Sequence, residues 1–584
     1  MGYRPPKSPK PVPMTKFLGI NEAVGETEIN WGEAVYQRNF RITKNYKPQK
    51  REGWEVFVNP STSQPSTAGW IGLIDGKNVL IHCSNNNVYE YNFDTQINTS
   101  IGTTTSDVKT IILYQETLYF FDGSKIKSYD GTTFGNATPY EPVVEIGGEP
   151  DGAGASSFEE LNLYTPKARV KRIGNGTSTQ FDLLFDAVSV ESVTVDTVAA
   201  TFTFSAPRTI TITSGTPADN AIVEISLTQS SSNASVIDSN DRAVVFGPND
   251  AQIFIWGADN NTVRFSGLAK PMYFTANTIS KVGTDEQPIN DMKPINDRLL
   301  AFKSDSAKYT FATANPLYDT NEGLNQYEYP FFDMNDRYGG VTTAEIVGQT
   351  PYTLDGGAIQ KWNYQSVVNN IDPEDISDRI RITLETLDLT QAVTFNYKKK
   401  KEYWIVLDGV AYIYNYGTDV FYTFDNVEAK WFYETEDNLY FGSVDGDVRR
   451  FNNTLTNDNG TAIHARMEMA FTAFGMENWY KSIYFEYFTI AAANKTSLTT
   501  GYATDEENDI ATEKFTIGYN IFTFNAVNFG EFSFKTNRNP QTEAIKSKIK
   551  KFIYMKRIFE NNELDETLTI ISWKPMPQAV KELR

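Results

Sequence analysis

Glu402-Tyr403-Trp404-Ile405-Val406-Leu407-Asp408-Gly409-Val410-Ala411-Tyr412-Ile413-Tyr414 is the stretch that decides the fold class. Asp-Gly between two alternating apolar runs signals a two-residue hairpin, because a type I′ turn needs positive φ at both central positions. The same phrase returns at Phe120-Phe121-Asp122-Gly123 running to Tyr129, at Leu354-Asp355-Gly356 running to Trp362, and at Val444-Asp445-Gly446 running to Phe451. Each copy predicts a tight hairpin. Asp355, Asp408 and Asp445 stand 53 and 37 residues apart, which brackets the roughly 40–50-residue period of β-propeller blades. That spacing predicts a disc of repeated sheets, an architecture that serves as a binding or structural platform and is no evidence of a reaction.

Working outward, the composition agrees with an all-β chain. Tyr, Phe and Trp make up 14 % of the 584 residues, and flat or β-branched side chains pack well on a pleated surface. The length allows about three or four domains at ~150 residues each. No window approaches the run of about 18 apolar residues that spans a bilayer, and Met1-Gly2-Tyr3-Arg4-Pro5-Pro6 offers no apolar signal-peptide core, so soluble synthesis in a cytoplasm is expected. The single cysteine, Cys83, excludes an internal disulfide, and its flank Val79-Leu80-Ile81-His82 predicts a buried strand residue. A net charge of −20 repels nucleic acid and anionic membrane over most of the surface. It reads either as plain solubility or as an acidic wall past which a polyanion slides without sticking.

Five segments follow along the chain. Residues 1–16, with five prolines and Arg4, Lys7, Lys10 and Lys16, predict an extended arm, lying along a neighbouring subunit or disordered. Residues 17–166 alternate as strands and turns over Val79 to Tyr91, Thr110 to Phe121 and Lys125 to Tyr129, and form the first part of the propeller. Gly147 to Ser157 is a Gly-rich stretch without periodicity, where a boundary is expected. Residues 167–235 replace aromatics by Val, Thr and Ser, with short strands at Val188 to Val195, Thr201 to Phe204, Thr209 to Thr213 and Ala221 to Leu227, and predict an inserted small β-sandwich closed by the polar linker Gln229 to Ser235. Residues 236–455 resume the propeller. At about 45 residues per blade the two stretches hold roughly eight blades, or seven with long loops. Residues 456–584 carry longer strands, such as Trp479 to Thr489, Phe515 to Phe524, Ile549 to Phe559 and Leu568 to Trp573, and predict a C-terminal β-sandwich.

The chemistry of a catalytic site is not evident. His82 and His464 are the only histidines, which works against a His-dependent triad or a His-rich metal site. Neither a Gly-x-x-x-x-Gly-Lys-Ser/Thr phosphate loop nor a strand-to-helix Gly-x-Gly-x-x-Gly turn is present. Asn457-Asp458-Asn459-Gly460 resembles the start of a calcium loop but lacks the spaced order and the distal Glu, so a plain turn is expected. A WD-type scaffold requires Gly-His and Trp-Asp pairs that two histidines cannot supply. The enzymatic rival is glycan hydrolysis by two carboxylates across a propeller's pocket, but the repeated Ser-x-Asp-x-Gly-x-x-Trp turns of sialidase-type propellers are missing. The chain therefore reads as non-enzymatic, with no catalytic, cofactor-binding or metal-binding residues.

Two lysine groups are the candidate contact residues, for a partner subunit before DNA. Lys398, Lys399, Lys400 and Lys401 precede Glu402-Tyr403-Trp404 and read either as a phosphate-contacting loop or as a solvated hairpin turn between Phe395 and Trp404. Lys546, Lys548, Lys550 and Lys551, followed by Lys556 and Arg557, alternate in part with Ile545, Ile549, Phe552 and Tyr554, so most of these charges fall on one solvated strand face.

Three stretches resemble bacteriophage tail β-propeller proteins. The first is Phe17-Leu18-Gly19-Ile20-Asn21, Gly32-Glu33-Ala34, Asn39-Phe40-Arg41 and Lys50-Arg51-Glu52-Gly53-Trp54, similar to the family's opening. The second, and most specific, is Val263-Arg264-Phe265-Ser266 to Tyr273-Phe274, then Pro288-Ile289 and Asn296-Asp297-Arg298-Leu299-Leu300-Ala301-Phe302-Lys303, similar to its central blades. The third, Gly174-Asn175-Gly176-Thr177-Ser178-Thr179-Gln180-Phe181 with Phe202-Thr203-Phe204-Ser205-Ala206-Pro207, is similar to a small β-sandwich module of phage structural proteins. The family includes the nozzle proteins of short-tailed phages. The resemblance implies a virion protein of the viral tail, commonly a homo-oligomer of six copies (a hexamer), that closes the DNA channel and takes part in genome retention and DNA ejection. It implies as partners other copies of the chain, portal-adaptor and other tail proteins, tail fibres and the genomic double-stranded DNA, with no cofactor and no small-molecule substrate. The alternative is a receptor-binding or glycan-cleaving tail propeller protein.

Overall fold

The computed structural model describes residues 10–229, 233–314, 327–363, 372–491, 495–505, 511–513, 519–520 and 540–582. The first nine residues of the arm, part of the linker after Gln229, and all but Tyr519 and Asn520 of the strand expected over 515–524 lie outside them. The described residues form an all-β chain of many small sheets, relieved by two short α-helices, Ala234–Asp238 and Arg381–Leu384, and three 3-10 turns. The chain divides into two units, one of residues 66–344 with 364–372, the other of 1–65, 345–363 and 373–584.

The unit built on 66–344 holds four antiparallel four-stranded sheets in chain order. The first is Ser66–Ile74, Lys77–Ser84, Asn87–Asn92 and Ile97–Thr103; the second is Thr110–Tyr114, Thr117–Phe121, Lys127–Tyr129 and Phe134–Asn136. The third is Arg242–Phe246, Gln252–Trp256, Thr262–Phe265 and Ile279–Lys281; the fourth is Ile289–Ile295, Arg298–Lys303, Ala307–Thr310 and Phe332–Asn335. The first strand of each sheet lies beside the first strand of the next. Apolar side chains such as Ile81, Leu118, Phe120 and Val88 fill the space between the first two sheets, and Phe121, Ile253, Ile255 and Phe274 that between the second and third.

Between the second and third sheets, Val143–Ile146, Ser156–Ser157, Lys167–Asn175, Asp219–Thr228, Ser189–Val195 and Val198–Ala199 make a six-stranded sheet, and Gln180–Asp182, Thr209–Ile212 and Phe202–Ser205 a three-stranded one. Val170, Phe181, Ile210, Val223 and Ile225 form their shared core. This sheet starts at Val143, ahead of residue 167, and Gly147 to Ser157 folds back within it: Glu145 pairs with Ser157, and Glu149 N–H bonds the Ala153 carbonyl at 2.8 Å. The absence of side-chain period there reflects a loop made from Gly and Asp turns joining two short strands, not a break between bodies.

The other unit repeats the pattern in three four-strand runs whose first strands again neighbour one another, Glu345–Val347, Val393–Tyr397 and Ala429–Glu434, the middle run being the start of a nine-stranded sheet. The third of them runs Ala429–Glu434, Leu439–Ser443, Val448–Phe451 and then Trp54–Val58, so its last strand comes from near the N-terminus. Strand Val420–Phe424 touches Ala34–Arg38 in parallel at Arg38 and Thr423. Ala34–Arg38 then pairs with Ala465–Met469, which continues to Met555–Asn561 and Thr499–Thr504. A second sheet pairs the long strands Trp479–Ile490 and Ile570–Glu582, with Gln541–Ile545 and Ile549–Phe552 on the other side of Trp479–Ile490. Phe17, Phe40, Met467, Phe488, Phe559 and Trp573 belong to one buried cluster. The described part of the arm adds to the free edge of Ile570–Glu582: Val12 N–H bonds the Pro575 carbonyl at 3.0 Å and Met14 N–H the Trp573 carbonyl at 2.7 Å.

All four Asp-Gly phrases sit at hairpins, but only Asp408-Gly409 is itself the two-residue turn, with φ of 49° and 78° between the paired Leu407 and Val410. At Asp355 the turn is Gly356-Gly357. At Asp122 and Asp445 the loops are longer. The Asp122 carboxylate accepts the backbone N–H groups of Ser124 and Lys125, and of Thr105 and Ser106, and so builds a wider corner. Asp75-Gly76 is a further two-residue turn, φ 48° and 70°, between Ile74 and Lys77.

Candidate functional site

Lys398 to Lys401 form the turn between Val393–Tyr397 and Glu402–Leu407, where Tyr397 pairs with Glu402. The Glu434 carboxylate holds this turn by accepting the N–H groups of Lys398 at 3.0 Å and Lys399 at 2.9 Å. Lys401 takes φ of 59°, and its side chain lies across Gly417, where an added Cβ would come within 3.0 Å of the Lys401 Cδ. Two neighbours complete the surroundings: the turn after Val410–Asn415, and the hairpin joining Phe40–Ile42 to Pro48–Lys50.

These three turns enclose a cleft of about 490 Å³ lined by Arg41, Thr43, Lys44, Tyr46, Gln49, Lys399, Lys400, Lys401, Asn415 and Thr418 together with Ile42 and Gly417. Five cations and no carboxylate line it. Beneath it, the buried Arg41 guanidinium donates to Glu402 at 2.5 Å through Nε and to Glu52. Glu402 also accepts the Tyr422 hydroxyl at 2.7 Å and the Trp404 indole N–H at 2.9 Å, so every oxygen of this fully buried carboxylate has a donor. Burial would raise the Glu52 carboxyl, but the charges of Arg41 and Lys400 outweigh it and bring the pKa down to about 2. Burial, and then the nearby Arg41 charge, lower Lys400, with Glu52 offsetting part of the effect from 3.8 Å away.

The second lysine group stands elsewhere, in the sheet of Trp479–Ile490. Lys546, Lys548 and Lys550 are exposed and alternate with buried Ile545, Ser547 and Ile549, and Lys551 is also exposed. Lys556 lies 3.5 Å from both Glu26 and Glu468. Arg557 belongs to the core instead, 3.3 Å from buried Glu486 and bonded to the Thr500 hydroxyl at 2.6 Å. The two lysine groups are not brought together into one surface feature. Arg41 and Lys44, which complete the cleft, carried no local signal: their charges gain meaning only once hairpin 40–50 is set beside the lysine turn.

His82 is buried mid-strand, stacked on Tyr89 with ring centroids 5.0 Å apart and bonded to Asn98 at 3.1 Å. His464 lies 3.2 Å from Arg38 and 2.5 Å from Glu560. Asn457-Asp458-Asn459-Gly460 is a tight hairpin with Asp458 paired to Thr461, and its carboxylate is taken by Arg51 at 2.6 Å. Among the described residues no group of three or more His, Cys, Asp or Glu side chains is arranged to hold a metal, and no helix is long and apolar enough to cross a membrane.

No family model matches the chain, and no curated protein does. Among solved structures it is similar to the computationally designed Ika8 protein, at 10 % identity over 68 % of this chain and 100 % of that one, TM-score 0.33. It is similar also to a chain of the Mitotic Checkpoint Complex, at 9 % identity over 74 % and 98 %, TM-score 0.35, and to BamB from Moraxella catarrhalis, at 9 % identity over 76 % and 97 %, TM-score 0.32. Likeness of this size transfers no function. What the fold and site define is an all-β chain of repeated small sheets whose described residues include a markedly basic cleft on an acidic chain.

Proposed function

We propose that the chain is a structural subunit of a bacteriophage tail, a nozzle-type propeller protein that assembles with its own copies, six in number, into a ring around the DNA channel. In this reading the four sheets of one unit and the three four-strand runs of the other are blades of a seven-bladed propeller, and Trp54–Val58 is the strand that completes the last blade. Residues 143–228 are an inserted β-sandwich, and the sheets of 465–582 form a C-terminal β-sandwich.

The observation that carries the reading is the use made of the phage-like opening stretch. Its residues are fasteners: Asn21 bonds Glu33 at 2.8 Å, Arg51 pairs with Asp458, Lys50 bonds Asn561 at 2.7 Å, and Trp54 begins the strand added to Val448–Phe451. Those residue types are spent on a rigid frame, as a wall requires. The net charge of −20 suits a conduit, because each neutralised phosphate releases counterions and would hold a duplex that has to move. Portal-adaptor proteins, other tail proteins and fibres are the neighbours that such a ring would meet in the virion.

Electron microscopy of the purified chain and of phage tails tests the proposal. Six-fold rings, with this fold placed at the tail tip, are the expected result. A protein that stays monomeric and is absent from tails would overturn it, as would cleavage of a glycan abolished by substituting a carboxylate.

A further inference from the structure

We propose that the cleft framed by Arg41, Lys44, Lys399, Lys400 and Lys401 is a binding site for a small phosphorylated or sulfated sugar, the lysines receiving the tetrahedral oxyanion. This inference stands on the cleft alone and does not depend on assembly into a ring.

Three features point to it. The first is the local reversal of charge: five cations from two hairpins line the cleft on a body of net charge −20, and no carboxylate does, with Lys399 Nζ bonded to the Glu436 carbonyl and Lys400 Nζ to the Asn453 side chain at 3.1 Å. Arg41 is already committed to Glu402 and Glu52, whereas none of the described residues forms an ion pair with Lys44 or Lys401. Lysine ammonium groups are compact point charges with rotatable donors, suited to an oxyanion approached from several sides. Lys400 adds to this, since its partial burial beside Arg41 disfavours its charge, and a bound anion would relieve that cost.

The second feature is size. At about 490 Å³ the cleft falls among small-molecule sites, which span roughly 300–1,000 Å³. A duplex needs a stripe of cations spaced along its backbone, and these cations instead surround one hollow. The third feature is what stands between the charges. Thr43, Gln49 and Thr418 supply hydroxyl and amide groups, the partners that sugar hydroxyls require.

The test is calorimetric titration of the full-length protein at low salt with glucose 6-phosphate, glucose 6-sulfate, inorganic phosphate, glucose and a short DNA duplex. Saturable binding of the sugar phosphate or sugar sulfate is expected, weaker binding of inorganic phosphate, and none of glucose. Lys44→Gln with Lys401→Gln, both at exposed positions, should weaken sugar-phosphate binding about tenfold, a loss of ~1.4 kcal/mol, with an unchanged circular dichroism spectrum. Lys550→Gln with Lys551→Gln, in the other basic group, should leave it unchanged. Inorganic phosphate bound as well as the sugar phosphate would overturn the sugar component. Preference for the duplex, equal loss in both double variants, or no binding of either sugar ester would overturn the site.

Discussion

Arg51 and Asp458, 407 residues apart in sequence, meet as a two-pronged buried ion pair, with NH2 to Oδ2 at 2.6 Å and NH1 to Oδ1 at 2.8 Å. Their side chains are 0 % and 3 % exposed. Arg51 Nε also donates to Asn39 at 2.8 Å, and Asp458 accepts the Trp54 N–H at 3.3 Å and the Asn426 side-chain amide at 3.0 Å. One pair thus ties the opening stretch to the segment that follows the last four-stranded sheet.

Removing one partner should therefore be far worse than removing both. Asp458→Ala leaves the buried guanidinium only the partly exposed Asp425 carboxylate, 3.9 Å away, as counter-charge and is expected to cost about 3 kcal/mol. Arg51→Met combined with Asp458→Leu should recover much of that loss. Urea unfolding of the two single variants and the double variant, set out as a thermodynamic cycle, measures the coupling.

Two glycines of equal size separate strain from collision. At Gly76, φ is 70° and nothing lies within 4 Å of an added Cβ, so Gly76→Ala should cost only the left-handed backbone penalty, about 1–2 kcal/mol. At Gly53 an added Cβ would stand 1.8 Å from the Asn457 carbonyl oxygen, which forces the two backbones apart at the point where Arg51 and Asp458 join them. Gly53→Ala should lower the thermal midpoint much further than Gly76→Ala.

Acid should destabilise the protein in two stages. Burial holds the His82 pKa at about 4, the Asn98 hydrogen bond offsetting only part of the effect. Between the ordinary value of about 6.5 and 4 the unfolded chain binds a proton that the folded chain refuses, so stability falls as the pH is lowered through that window, by up to about 3 kcal/mol. Glu52 is depressed to about 2; its contribution is complete above its ordinary value and drains away as the pH falls from there toward 2. His82→Gln should flatten the first stage and leave the second, read from unfolding free energies measured at a series of pH values.

Cys83 is 2 % exposed, and burial, with a smaller push from Asp107, raises its thiol pKa well above the ordinary value. A thiol held neutral and covered is unreactive. Labelling with a disulfide reagent should be negligible in the folded protein and complete in denaturant.

Strand positions were legible in sequence wherever the residue type carries the backbone requirement. Asp408-Gly409 announces its turn, and Asp75-Gly76 obeys the same rule. Gln115-Glu116, with φ of 47° and 59° between the paired Tyr114 and Thr117, does not: neither residue favours positive φ, and the strands on either side impose the turn. The lysine turn after Tyr397 was equally plain, but the cleft was not, because Arg41 and Lys44 reach it from more than 350 positions away along the chain. Periodicity likewise marks Trp54–Val58 as a strand without naming Val448–Phe451 as its partner. Local pattern specifies an element; only packing chooses its neighbour.

That last pairing sets a timetable for synthesis. Trp54–Val58 leaves the ribosome early, and the strand beside which it belongs, Val448–Phe451, follows after almost four hundred further residues. At 5–20 residues per second the delay is roughly 20–80 s. Throughout that interval the early strand is an unclaimed edge in the crowded cell, open to pairing with the wrong chain until Val448–Phe451 emerges to cover it.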